Sequence, residues 1–121
     1  IELDSAVKIG KLNCIENIPP ETVEMFSKQY GPAYLDRLDP GEAESLAFLF
    51  QSKDDWLFTS GDAIVFQILG AAGRCDQGIS LEEILQALGL TCKDLKKQYR
   101  KDFRLRETQR GKIDGITGFQ P

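Results

Sequence analysis

Apolar residues recur at helical spacing through most of this chain, and one short apolar run interrupts the rhythm. Asp39-Pro40-Gly41 opens the clearest helix, with Ala43, Leu46, Ala47, Leu49 and Phe50 on its apolar side. Asp39 is placed to cap it, and Pro40 suits the first helical position. The polar stretch 51–54 ends it. Trp56-Leu57-Phe58 then has the length and composition of a buried parallel strand. Thr59-Ser60-Gly61 is a turn, and Asp62 begins a second helix carrying Ala63, Phe66, Ile68, Leu69 and Ala72. Ser80 with Glu83 three residues on is a capping-box pattern, and the helix it opens places Leu81, Ile84, Leu85 and Leu88 inward, with Gly89 as its stop. Cys92 to about Arg110 reads as a further helix with Leu95, Tyr99 and Phe103 on its apolar side. Val23 and Phe26 predict a short helix over 21–29, and weak alternation predicts a strand near 12–16. Residues 32–38 read as a helical turn, and the loop around Cys75 as a short strand. From Gly111 onward the glycines predict a loose tail, unless Ile113, Ile116 and Phe119 dock.

The order helix, strand, helix, loop, helix favours an α/β sandwich, a sheet covered by helices. Because one strand is clear, a mostly α-helical fold is the competing expectation. The 121 residues suit a single domain, read as 1–110 with a C-terminal tail at 111–121.

Composition narrows the chemistry. The 41% hydrophobic and 28% charged residues are ordinary for a soluble globular protein, no apolar run reaches the length of a membrane span, and the cysteines are expected as reduced thiols of a cytoplasmic protein. There is no histidine, and the three cysteines (Cys14, Cys75, Cys92) are far apart. Zinc sites of the usual kinds and histidine-dependent triads are therefore excluded. The net charge of −4 conceals an asymmetry. Residues 1–92 hold six Lys/Arg against fifteen Asp/Glu, and residues 93–121 hold nine against four. Lys93, Lys96, Lys97, Arg100, Lys101 and Arg104 fall mostly on one side of the expected basic helix. Such a helix can contact RNA phosphates, bind an acidic protein, or remain solvated.

Two stretches resemble the C-terminal half of a PIN-domain nuclease. Leu38-Asp39-Pro40-Gly41-Glu42-Ala43-Glu44 is similar to the family's acidic helix start. Leu57-Phe58-Thr59-Ser60-Gly61-Asp62 is similar to its later strand with a terminal acid, twenty residues from Glu42 to Asp62. Gly78-Ile79-Ser80-Leu81-Glu82-Glu83-Ile84-Leu85 follows as the family's last strand and helix do. The match covers about residues 38–90. It implies a three-layer sandwich with a central parallel sheet. It also implies a metal-dependent ribonuclease, or the C-terminal part of one, with Mg2+ or Mn2+ held by Glu42 and Asp62 as catalytic ligands. RNA, an antitoxin-like protein and a second copy are the partners implied. Asp4-Ser5-Ala6-Val7 matches the family's opening motif only superficially, because too few residues separate Asp4 from Glu42. The first strand and two of the usual acids are then expected upstream of Ile1, which is itself not a Met.

Each acid also has a plainer explanation. Glu42 and Asp62 both fall in first helical turns, where the helix dipole alone favours a negative charge. Two functions follow: a metal-dependent nuclease built on Glu42 and Asp62, or a non-catalytic nucleic-acid or protein interaction module using the basic stretch at 93–110.

Overall fold

The most buried element is a helix of nine residues. In the computed structural model, which describes residues 18–29 and 36–117 (the last three as backbone only), five helices form in chain order: α1 (Pro20–Gln29), α2 (Pro40–Gln51), α3 (Ala63–Ala71), α4 (Leu81–Ala87) and α5 (Lys101–Thr117). Seven consecutive residues of α3, Ile64 to Gly70, are buried. A helix that is apolar all round belongs in the middle of a protein, and α3 is surrounded accordingly. Its Ile64, Val65, Phe66, Ile68 and Leu69 join Leu46, Ala47 and Leu49 of α2 and Phe26 of α1 in one core. Phe26 meets Phe50 of α2 edge to face at 5.3 Å, and Phe66 meets Phe103 of α5 at 6.4 Å.

The helix α5 crosses α3 at two glycines. A methyl group added at Gly70 would overlap the carbonyl oxygen of Thr108, and one at Gly111 would overlap that of Gln67. Neither obstacle is a side chain that can swing away, so both positions need the missing Cβ. Beside this crossing the Gln67 amide donates to Glu107 at 2.9 Å. Arg106 and Arg110 flank the same carboxylate at 3.3 and 3.4 Å, so the buried charge is paired.

The α/β sandwich with a central parallel sheet is not formed. Among the described residues there is no strand, and the mostly α-helical alternative describes the architecture. Trp56-Leu57-Phe58 is not helical, but it makes a single parallel bridge, Phe58 to Gly78. Two hydrogen bonds carry it: Phe58 N–H to the Gln77 carbonyl at 2.7 Å and Ile79 N–H to the Phe58 carbonyl at 2.9 Å. A buried parallel strand needs cover on both faces. Here Leu57 is 57% exposed and Trp56 36%, and α3 occupies the centre that a sheet would fill. The loop near Cys75 forms a 3-10 turn over Cys75–Gln77 in place of the expected strand. The strand expected near 12–16 lies outside the described residues, as do Asp4, Cys14 and most of 32–38.

The expected helix from Cys92 to Arg110 is also corrected. Residues 92–100 are turns with one 3-10 segment, Lys97–Tyr99, and α5 begins at Lys101. Asp94 takes a left-handed conformation (φ 62°), and Lys96 and Arg100 are extended, so a helix cannot pass through. In the other direction α5 runs on to Thr117, through the region expected as a loose tail. Ile113 stays 49% exposed, and among residues 111–114, whose burial is described, Gly111 is the buried one. The helix α4 carries the expected capping box, but none of its residues is fully buried and Leu88 is 67% exposed. No helix of the described residues is long and apolar enough to cross a membrane.

Candidate functional site: an acid pair beside a cationic loop

The structure brings Glu42 and Asp62 together at the N-termini of α2 and α3. Asp39 caps α2, accepting the Glu42 amide at 2.8 Å. Glu42 Oε1 completes a capping box by accepting the Asp39 amide at 3.4 Å, a role that the spacing Asp39-x-x-Glu42 already encodes. Glu42 Oε2 accepts the Ser60 hydroxyl at 3.1 Å. Ser60 in turn accepts the Asp62 amide at 3.0 Å, so one hydroxyl links both acid-bearing turns. Asp62 caps α3 through a long 3.5 Å contact from the Ile64 amide.

Burial raises the Glu42 carboxyl above its ordinary value of 4.5, and repulsion from Asp62 and Asp39 adds to this against the hydrogen bonds from Asp39 and Ser60. The two acids therefore feel one another, as a cation site requires. The donor set falls short of one, however. Among the described residues no group of three or more His, Cys, Asp or Glu side chains is arranged to hold a metal ion. Both oxygens of Glu42 are already accepting hydrogen bonds. The described residues do not make a complete Mg2+ or Mn2+ site. Thr59 lies exposed beside this turn, and Glu44 faces solvent one helical step away.

The cationic stretch lies against this turn. Lys93, Lys96, Lys97, Arg100 and Lys101 are all exposed and form no ion pair among the described residues. Arg104 differs: it donates to Glu83 at 2.6 and 3.1 Å, and its side chain is 12% exposed. It fastens α5 to α4 and leaves the exposed set. Glu83 also accepts the Ser80 amide and hydroxyl. Desolvation works to raise its carboxyl, but Arg104 and Ser80 outweigh that and hold it below the ordinary value.

Glu82 closes the cationic stretch into a loop. Its carbonyl faces the Cys92 thiol at 3.6 Å, and its carboxylate accepts the Lys101 amide at 2.7 Å. The Arg100 guanidinium braces the interior by donating to the Leu95 carbonyl at 3.1 Å. The charges were visible in the sequence. Their arrangement on a loop held at both ends by one glutamate was not, because a side chain that caps a helix nineteen residues later leaves no periodic signal. Cys75 and Cys92 are free thiols, and neither approaches the acid pair through any hydrogen bond described here. No family model, curated protein or solved structure matches this chain.

Proposed function

We propose that the protein is a non-catalytic interaction module that binds a polyanion, single-stranded RNA first among them, through the loop Cys92–Lys101. The supporting observation is the concentration of five exposed cations, Lys93, Lys96, Lys97, Arg100 and Lys101, on a segment closed by Glu82. Cations held on a short anchored loop neutralise neighbouring phosphates and release their counterions. Four or five such contacts on a single strand give a log–log salt slope of about −3. A fluorescent oligouridylate titrated at several salt concentrations tests this. The expected result is binding that weakens with that slope, and weakens less steeply in Lys96→Gln/Lys97→Gln. Salt-independent binding, or none at low salt, rejects the module.

A second reading is a metal-dependent ribonuclease without the parallel sheet of PIN domains, which the described residues do not form. It rests on the meeting of Glu42 and Asp62 across Ser60. On this reading the two acids are part of an Mg2+ or Mn2+ site whose other ligands come from elsewhere, as carboxylates and substrate phosphates commonly share such ions. Calorimetric titration with Mn2+, in the presence and absence of the oligouridylate, distinguishes the two. Uptake abolished by Asp62→Asn supports the nuclease, and no uptake in either condition leaves the module.

A further inference from the structure

The loop Cys92–Lys101 has few regular hydrogen bonds, yet its C-terminal part, Gln98 and Tyr99, is seated on the acid-bearing turn. The ring of Tyr99 and the chain of Gln98 lie over Gly61. A methyl group at residue 61 would stand 2.8 Å from Tyr99 Cε1, 3.2 Å from its Cζ and 3.2 Å from Gln98 Cγ. Gly61 is not in the left-handed region, so its backbone does not demand glycine. What a side chain there would meet is the Tyr99 ring, which would have to move aside. Gly61 sits between Ser60, which bonds Glu42, and Asp62, so this contact seats the loop that carries the cations on the acid-bearing turn.

Resting on the polyanion-binding reading above, we infer that Tyr99 is a positioning residue. Its ring, locked on Gly61, holds the cationic loop in its binding conformation and directs a bound phosphate backbone past Glu42 and Asp62. The chemistry is preorganisation. Glu82 ties the loop's ends, and without a third anchor each lysine must be ordered when ligand binds. Tyr99 itself need not touch the ligand.

The test uses the whole chain and the fluorescent oligouridylate. In Tyr99→Ala every charge remains but the seat is lost. Affinity is expected to fall about three- to tenfold while the salt slope stays that of the parent. Tyr99→Phe keeps the ring and is expected to bind as the parent does. Gly61→Val displaces the ring from the other side and is expected to reproduce the Tyr99→Ala loss, which guards against a folding defect peculiar to either variant. A double-mutant cycle adds the direction of the backbone: Asp62→Asn is expected to tighten binding in the parent and to do less in Tyr99→Ala. If Lys96→Gln/Lys97→Gln weakens binding while Tyr99→Ala and Gly61→Val do not, the positioning role is overturned and the binding module stands. If the parent does not bind, both fall.

Discussion

The Ser60 hydroxyl donates to the Glu42 carboxylate at 3.1 Å across eighteen residues of chain, and this bond joins the first turn of α2 to the turn that leads into α3. The same oxygen accepts the Asp62 amide at 3.0 Å. Ser60→Ala should therefore cost about 1–2 kcal/mol of stability in denaturant unfolding. It should also push the Glu42 carboxyl further up, because a hydrogen bond that favours the charged form is gone. Carbon-detected NMR titration of the Glu42 carboxyl reads the second effect, and a downward move would contradict the geometry.

Glu42 gives stability an unusual pH sign. Its carboxyl is raised in the folded protein, first by burial, so the folded state holds a proton more tightly than the unfolded chain. Its contribution is complete below the ordinary value of 4.5 and is lost as pH rises through the folded value. Glu42→Gln cannot ionise. Its stability relative to the parent is expected to improve as pH rises from about 4 to about 7, measured by denaturant midpoints across that range.

Glu83 has the opposite sign. Arg104 and Ser80 hold its carboxyl below 4.5, so its contribution is present above that value and fades as pH falls through the folded one. Arg104→Met leaves Glu83 without its cation in a partly buried place. A loss of about 1–3 kcal/mol at neutral pH is expected, and the gap between variant and parent should narrow on acidification. Thermal melts at a series of acidic pH values would show it.

The crossing of α3 and α5 tolerates no side chain at two positions. Gly70→Ala and Gly111→Ala each drive a methyl into backbone carbonyl of the partner helix, at Thr108 and Gln67 respectively. Overpacking of this kind costs about 3 kcal/mol, or enough to prevent folding of a small domain. Gly73→Ala serves as the comparison, because a methyl there meets open space and only the left-handed backbone (φ 73°) resists it. Circular dichroism melts should rank both crossing variants well below it.

The acid pair should oppose the ligand of the neighbouring loop. Asp62→Asn removes a negative charge from the turn on which Tyr99 rests. Oligouridylate binding is expected to tighten about two- to fivefold at low salt and to show little change at high salt, where the repulsion is screened. Weaker binding in this variant would instead indicate that the ligand reaches the acids through a cation.

The helix boundaries around the acids were legible in the chain itself. Asp39 with Pro40, and Ser80 with Glu83, are local signals whose partners lie within three residues, so a linear reading finds them. The expected strand was misread for a complementary reason. Trp56-Leu57-Phe58 has strand composition, but whether such a run joins a sheet depends on neighbours that no local pattern names. Here they supply one bridge to Gly78 and leave Leu57 open to water. The basic stretch failed as a helix because Asp94, Lys96 and Arg100 adopt non-helical backbone conformations, and its contacts reach Glu82 at both ends and Gly61 through Gln98 and Tyr99.

By itself the sequence determined the charge asymmetry, the absence of histidine, the caps and the apolar content of the helices, since each of these is a property of residue type and short spacing. Tertiary structure alone decided that Ile64 to Gly70 form the centre, that Gly70 and Gly111 carry a helix crossing, and that Tyr99 of the cationic loop rests on Gly61 of the acid-bearing turn. Those relationships join residues far apart in the chain, Gly111 with Gln67 and Gly61 with Tyr99 among them. They follow from the burial of one short helix on all its sides, which forces the remaining elements to close around it.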